Sequence, residues 1–210
     1  SRGELSDKRV IKFPTRINID VFRPLKRDDV RKDLGLPLDA TMLVTTGRLA
    51  PLKGWKFMID CFAKLEKSIL NCTLFFIGEG EDFEKINEYI GYNQLKNKVI
   101  LVGKKSSVEV ATFLNAADLF IMGSFKEGWS TSLIEAIACG VPACVTNFSS
   151  AKEIIQEGVN GFVIEEHDED LFVEGMKKSL NIPRPVQNDN VTVLATNRMK
   201  SDLIKYWELV

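Results

Sequence analysis

Short apolar runs recur along the chain at residues 42–46, 74–77, 99–102, 119–122 and 143–145. None alternates with polar residues, which is the pattern of strands buried on both faces. Their starts lie about 20 to 30 residues apart, room for a helix in each interval. Helical spacing of apolar residues fills several of those intervals: Met58, Cys61, Phe62 and Leu65; Val110, Ala111 and Leu114; Ile134, Ile137 and Ala138. A later stripe contains Leu171, Phe172, Gly175, Met176 and Leu180. Ser106-x-x-Glu109 and Ser132-x-x-Glu135 both fit the capping box that opens a helix. Strands alternating with helices predict an α/β fold with a parallel sheet.

The residues after each run predict a ligand edge. The first run ends in Gly47-Arg48, the second in Gly78-Glu79-Gly80, the third in Gly103-Lys104-Lys105 and the fourth in Gly123-Ser124. The fifth runs into Thr146-Asn147. Open α/β sheets bind ligands beyond the carboxyl ends of their strands. One glycine there is explained by a tight turn, but four on one edge favour a site where a ligand approaches the backbone.

Composition narrows the class. The chain has 210 residues, 45% hydrophobic and 27% charged, which excludes a disordered or low-complexity chain. Its 28 Lys and Arg nearly balance 29 Asp and Glu, against the basic excess of a nucleic-acid-binding domain. No run of 18 apolar residues spells a transmembrane segment, and no signal-peptide core is present. Cys61, Cys72, Cys139 and Cys144 are scattered and mostly apolar-flanked, so they read as reduced core thiols rather than a zinc site. The expected localisation is cytoplasmic. The glycosylation-like triplets at Asn71, Asn147 and Asn190 are read as chance. The absence of an initiator Met hints at an excised piece of a longer chain.

Two stretches carry candidate chemistry. In the segment from Phe125 to Ala136, Glu127 and Glu135 stand eight positions apart. On one continuous helix that spacing leaves them about 80° apart and about 12 Å along the axis. Gly128 and Ser130 instead place Glu127 in a loop, with a helix beginning near residues 130–132. Glu127 then stands at the helix mouth, whose free N–H groups and positive dipole end favour an anion. A solvated loop carboxylate and a simple capping residue remain the plain alternatives for Glu127 and Glu135.

The second stretch is Gly47-Arg48-Leu49-Ala50-Pro51-Leu52-Lys53-Gly54. Arg48 can grip a phosphate bidentately and Lys53 adds a point charge, although such loop cations are often merely solvated. The Walker pattern is absent, so a P-loop ATPase is unsupported. Gly78-Glu79-Gly80 suggests a dinucleotide fingerprint, but Phe83 stands in place of the third glycine. Asp168-Glu169-Asp170 has metal-binding spacing but is better explained as an acidic helix start. His167 is the single histidine, and no nucleophile-elbow sequence accompanies it.

Taken together and in this order, these stretches resemble the donor-binding half of retaining glycosyltransferases with the GT-B fold. The resemblance runs from about Pro14 to Leu180. It includes Pro14-Thr15-Arg16-Ile17-Asn18 and Phe22-Arg23-Pro24, then Gly47-Arg48-Leu49 with Lys53-Gly54, Ile77-Gly78-Glu79-Gly80 and Ala117-Asp118. Glu127-Gly128 through Glu135-Ala136, followed by Gly140-Val141-Pro142, resembles the E-x7-E signature of that superfamily. Glu153, Gly158 and Asn160-Gly161 complete the pattern. Arg16 and Ser130 depart from it, standing where the superfamily often has glycine. Trp55, directly after the second stretch, is expected to pack rather than stack on a base.

The resemblance implies a single Rossmann-like domain with a parallel sheet of about six strands, the C-terminal half of a GT-B fold. It implies that Arg48, Lys53 and Glu127 act catalytically. Arg48 and Lys53 would hold a donor diphosphate, and Glu127 would bond the transferred sugar. Gly47, Gly78, Gly103, Lys104, Ser130, Thr131, Ser132 and Glu135 would form the donor-binding set. Glu135 would accept from the ribose hydroxyls, and residues 102–105 would lie against the base. No metal and no cofactor are implied. The substrate would be a nucleoside-diphosphate sugar, with a UDP-sugar slightly preferred on superfamily frequency.

Residues 1–40 are read as an interdomain lead-in, 41–182 as the donor domain, and 183–210 as a linker and final helix bearing Tyr206 and Trp207. The partner would be an acceptor-binding N-terminal domain of the same enzyme, which could also carry any contact with the inner membrane face. The isolated piece is expected to bind nucleotide and to transfer little or no sugar. The alternatives are a stand-alone nucleotide-binding or regulatory module, and a flavodoxin-like or dehydrogenase domain.

Overall fold

Six strands, β1 (Thr41–Thr46), β2 (Cys72–Ile77), β3 (Val99–Gly103), β4 (Leu119–Met122), β5 (Ala143–Thr146) and β6 (Gly161–Ile164), form one sheet. Every pairing is parallel and the order is β3-β2-β1-β4-β5-β6. The computed structural model describes residues 17–184. Among the described residues seven helices accompany the sheet: α1 (Arg27–Asp33), α2 (Trp55–Leu65), α3 (Phe83–Tyr92), α4 (Ser107–Ala116), α5 (Thr131–Ala138), α6 (Ala151–Ile154) and α7 (Glu169–Leu180).

The chain builds outward from β1 to β3, then returns through α4 to lay β4 on the other side of β1. Beyond the carboxyl ends of β1 and β4 the following loops part in opposite directions, which opens a crevice between them. The sheet is buried on both faces, as its apolar runs predict. Met42 and Val44 of β1 join one core layer, with Leu114 of α4 and Leu133 and Ile134 of α5. Leu43 joins the other, with Ile59 and Phe62 of α2, Ile86 of α3 and Phe172 of α7. All four cysteines are buried and free.

The sixth strand is absent from the five runs above: only Phe162-Val163-Ile164 is apolar, between Asn160-Gly161 and the acidic Glu165-Glu166. It lies at the edge, and Phe162 and Ile164 alternate as half-buried positions with buried Gly161 and Val163. Helix starts follow the sequence signals unevenly. Ser106 and Glu109 form the expected reciprocal box at α4. The box expected from Ser132 and Glu135 does not form, because α5 begins earlier and Ser130 is its cap, accepting from the Leu133 amide at 3.3 Å. Asp168 caps α7 through the Leu171 amide at 2.8 Å, so the acidic run is a helix start. Leu171 is not in the buried stripe of that helix; it is half exposed, while Phe172, Gly175 and Met176 face the core.

Part of the lead-in is integral to the core. Ile17, Phe22 and Val30 are buried in the same layer as α4 and α5. Arg31 is 1% exposed and donates to the Ala40 and Ala116 carbonyls at 2.7 and 2.8 Å and to Asp118 at 2.7 Å. Asp118 also accepts from the Met42 amide at 2.7 Å and pairs with Arg27, so one carboxylate ties α1 to the starts of β1 and β4. Arg184 donates to the carbonyls of Asn115 and Ala117 at the end of α4 and of Cys139 and Gly140 at the end of α5, at 2.8 to 3.2 Å. A cation suits both helix carboxyl ends. Arg16 and the expected final helix with Tyr206 and Trp207 lie outside the described residues.

Removing the carboxylate of Asp118 strands a buried guanidinium. Asp118→Ala is expected to cost about 3 kcal/mol in urea unfolding. Glu174→Ala breaks only an exposed pair with Lys178 on α7 and is expected to change stability by less than about 0.5 kcal/mol.

Candidate functional site

Two backbone contacts build the crevice. Gly54 has φ 66°, and a Cβ there would stand 1.8 Å from the Gly123 carbonyl oxygen. The loop after β1 therefore rests directly on the loop after β4. Gly78 has φ 148°, and a Cβ there would stand 1.9 Å from the Gly47 carbonyl oxygen. Its amide donates to the Gly103 carbonyl at 2.9 Å, so the turns after β1, β2 and β3 are stacked backbone on backbone. Side chains at either position would separate these loops.

The resulting crevice holds two adjoining depressions, of about 240 Å³ and about 790 Å³. Thr46, Gly47, Arg48, Ile77 and Ser132 line both. Lys53, Glu127, Ser130 and Thr131 belong to the smaller one. Gly78, Lys104 and Glu135 belong to the larger. The structure thus brings together all the residues singled out in the sequence, except that Gly103 contributes through its carbonyl bond to Gly78 rather than by lining a depression.

The cations are held in different ways. Lys53 Nζ lies 2.6 Å from Glu127 Oε1, and Ser124 Oγ donates to the same oxygen at 2.8 Å. Arg48 pairs with Glu81 at 2.9 Å and Lys104 with Glu79 at 3.0 Å. The Arg48 side chain is 70% exposed. Exposed pairs of that kind contribute little, so an incoming anion can take over either cation at small cost. The Glu81 carboxyl is held below its ordinary range by its own backbone amide and by Arg48.

Helix α5 points its amino end at the same place. Ser130, its buried cap, satisfies the Leu133 amide. The amides of Thr131 and Ser132, in the first turn, have no acceptor within the helix. One turn further in, burial pushes the Glu135 carboxyl up to about 7. No capping bond engages it, since the cap is Ser130.

Several residues at the crevice carried no clear signal in the sequence. Thr46 ends β1, and its hydroxyl is buried without a hydrogen-bond partner among the described residues. It reads in the sequence as the tail of an apolar run. Ser124 reads as turn filler but orients Glu127. His167 stacks on Phe125 at 4.2 Å and 8°, with Nε2 3.3 Å from the Gly123 carbonyl oxygen. Trp55 packs edge-on against Tyr89, as expected of a packing residue, and its indole N–H donates to Asp82 at 2.8 Å. Among the described residues no group of three or more His, Cys, Asp or Glu is placed to hold a metal. No helix among them is long and apolar enough to cross a membrane.

The sequence pattern of the family Glycosyl transferases group 1 matches residues 26–191. The D-inositol 3-phosphate glycosyltransferase of Mycolicibacterium paratuberculosis is 28% identical over 173 residues, 80% of this chain and 38% of that protein. The N-acetyl-alpha-D-glucosaminyl L-malate synthase of Bacillus anthracis is 29% identical over 145 residues, covering 68% of this chain and 37% of that one. The chain thus spans about two fifths of the length of such relatives.

Among solved structures, sucrose-phosphate synthase of Thermosynechococcus elongatus superposes with a TM-score of 0.81 at 19% identity, over 93% of this chain and 51% of that one. Anabaena HepE in complex with UDP-glucose gives 0.77 at 20%, over 93% and 56%. The C-terminal domain of a Francisella tularensis group 1 glycosyl transferase gives 0.68 at 21%, over 90% of this chain and 98% of that one. These likenesses establish the fold.

Glu135 makes stability depend on pH. The folded chain holds its proton to about 7, whereas an unfolded chain releases it near 4.5. Between those values the folded state binds the extra proton, so stability falls as pH rises across that window. Glu135→Gln is expected to remove this slope and to raise stability at pH 8 by up to about 3 kcal/mol. Urea unfolding at pH 5 and pH 8 measures both effects.

Proposed function

Because the chain belongs to the glycosyl transferases group 1 family, we propose that it is the nucleotide-sugar donor-binding part of a retaining glycosyltransferase. The observation that carries this reading is the convergence of Arg48, Lys53 and the amino end of α5 on one crevice at the switch in strand order. A diphosphate leaving group gains negative charge as its bond to the sugar breaks. Two cations and a helix amino end fixed around it stabilise that charge, commonly the largest catalytic contribution. These groups supply the positive charge that a metal ion would otherwise bring.

The remaining residues fit the rest of the donor. Glu127, in the smaller depression with Lys53, accepts from a hydroxyl of the transferred sugar. Glu135, in the larger depression, accepts two hydrogen bonds from the ribose diol, as a carboxylate can. Lys104 and the turn after β3 lie against the base. A UDP-sugar is the favoured donor, since HepE, which shares this fold, has been solved with UDP and with UDP-glucose. The acceptor is bound by a further N-terminal domain, in keeping with the greater length of the relatives. The piece described here therefore binds donor without turning it over.

A thermal-shift panel of UDP, GDP, ADP, NAD and FMN tests the reading. Ligand at about 100 times Kd stabilises by about 2.7 kcal/mol. For a chain of this size that is a rise of roughly 5 to 10 °C. The expected response is to UDP, abolished in Glu135→Ala and reduced in Lys53→Met. A response to NAD or FMN instead, or sugar transfer by this chain alone, contradicts it.

A further inference from the structure

The loop that carries Glu127 has no regular structure of its own, and its backbone carbonyls are held from outside. Thr146 Oγ1, at the end of β5, donates to the Ser124 carbonyl at 2.7 Å. Ser149 Oγ lies 3.2 Å from the Glu127 carbonyl and 3.0 Å from that of Gly128. Ser150 Oγ donates to the Gly128 carbonyl at 2.8 Å. Three hydroxyls within five residues thus engage three carbonyls within five residues.

Ser150 occupies the cap position of α6, where a serine ordinarily accepts from its own helix. It makes no such bond. Its hydroxyl serves the loop, and both Thr146 and Ser150 are buried, where a carbonyl left without a donor is costly. From inside the loop, Ser124 Oγ reaches Glu127 Oε1, the oxygen that also meets Lys53. Backbone and carboxylate are therefore tied into one unit.

We propose that Thr146, Ser149 and Ser150 are positioning residues that hold Glu127 against Lys53. What Glu127 then does rests on the donor-binding reading; whether its loop is held does not. The Phe125 amide reports on the clamp, because it donates to the Leu52 carbonyl at 2.9 Å and is thereby protected. The Ile155 amide, bonded to Ala151 at 2.8 Å, reports on α6.

In the full chain, Thr146→Val and Ser150→Ala are each expected to speed hydrogen exchange of the Phe125 amide about tenfold or more. Each is also expected to shift the side-chain ammonium resonance of Lys53. Ser150→Thr is expected to keep both at their original values, and Ile155 is expected to exchange unchanged in all three. Unchanged Phe125 exchange and an unchanged Lys53 signal in both disruptive variants would overturn the proposal. So would faster exchange confined to Ile155, which marks a plain capping role. UDP binding by the unaltered chain is measured in parallel. Its absence overturns the donor-binding reading alone, and the clamp is still decided by exchange.

Discussion

The crevice depends on a contact with no room for a side chain, the approach of Gly54 to the Gly123 carbonyl. The reversal of strand order at β1 and β4 opens a gap between the following loops. That contact sets how wide the gap is on the side of Lys53 and Glu127. The close approach of Gly78 to Gly47 does the same on the side of Glu135. Backbone packing therefore sets the loops that carry the charged groups, and side-chain bonds such as that of Ser124 to Glu127 act within that frame. This is the pre-organisation that electrostatic stabilisation of a developing charge requires.

The charged groups of the crevice are held in three different ways. At the rim, Arg48 and Lys104 rest on Glu81 and Glu79 in exposed pairs that exchange readily for another anion. Deeper in, Lys53 and Glu127 share a shorter contact in which the carboxylate is 12% exposed and further bonded by Ser124. In the larger depression, one turn into α5, Glu135 has no opposite charge to offset its burial. A ligand bearing two phosphates and a vicinal diol would suit this arrangement. Arg48 would turn to phosphate, and a diol would give Glu135 the hydrogen bonds it lacks.

The fold was legible because both faces of the central strands are apolar, and residues such as Leu43 and Val44 serve opposite core layers. Edge strand β6 was less legible, because its apolar run is only Phe162-Val163-Ile164, closed by Glu165 and Glu166 and starting about 19 residues after the start of the fifth run, closer than the starts of the other runs stand to one another. The two candidate stretches were legible because charge and glycine coincide after strands β1 and β4. The start of α5 was legible only to within about two residues, because Ser130 and Ser132 offer equal capping chemistry and only packing selects between them. Thr46, Ser124 and Ser150 were invisible as site residues, since a hydroxyl reveals its role only through what it touches. α1 was read as part of the lead-in; Arg31 and Asp118, which lock it in place, are 87 residues apart in the chain.

On the donor-binding reading, the smaller depression and the amino end of α5 receive the diphosphate while Glu135 receives the ribose. A crystal structure of the chain soaked with UDP tests this most directly. Phosphate oxygens are expected within hydrogen-bond distance of Lys53, Arg48 and the amides of Thr131 and Ser132, with the ribose hydroxyls on Glu135. A diphosphate bound away from α5, or a ribose that leaves Glu135 without a hydrogen bond, would contradict it.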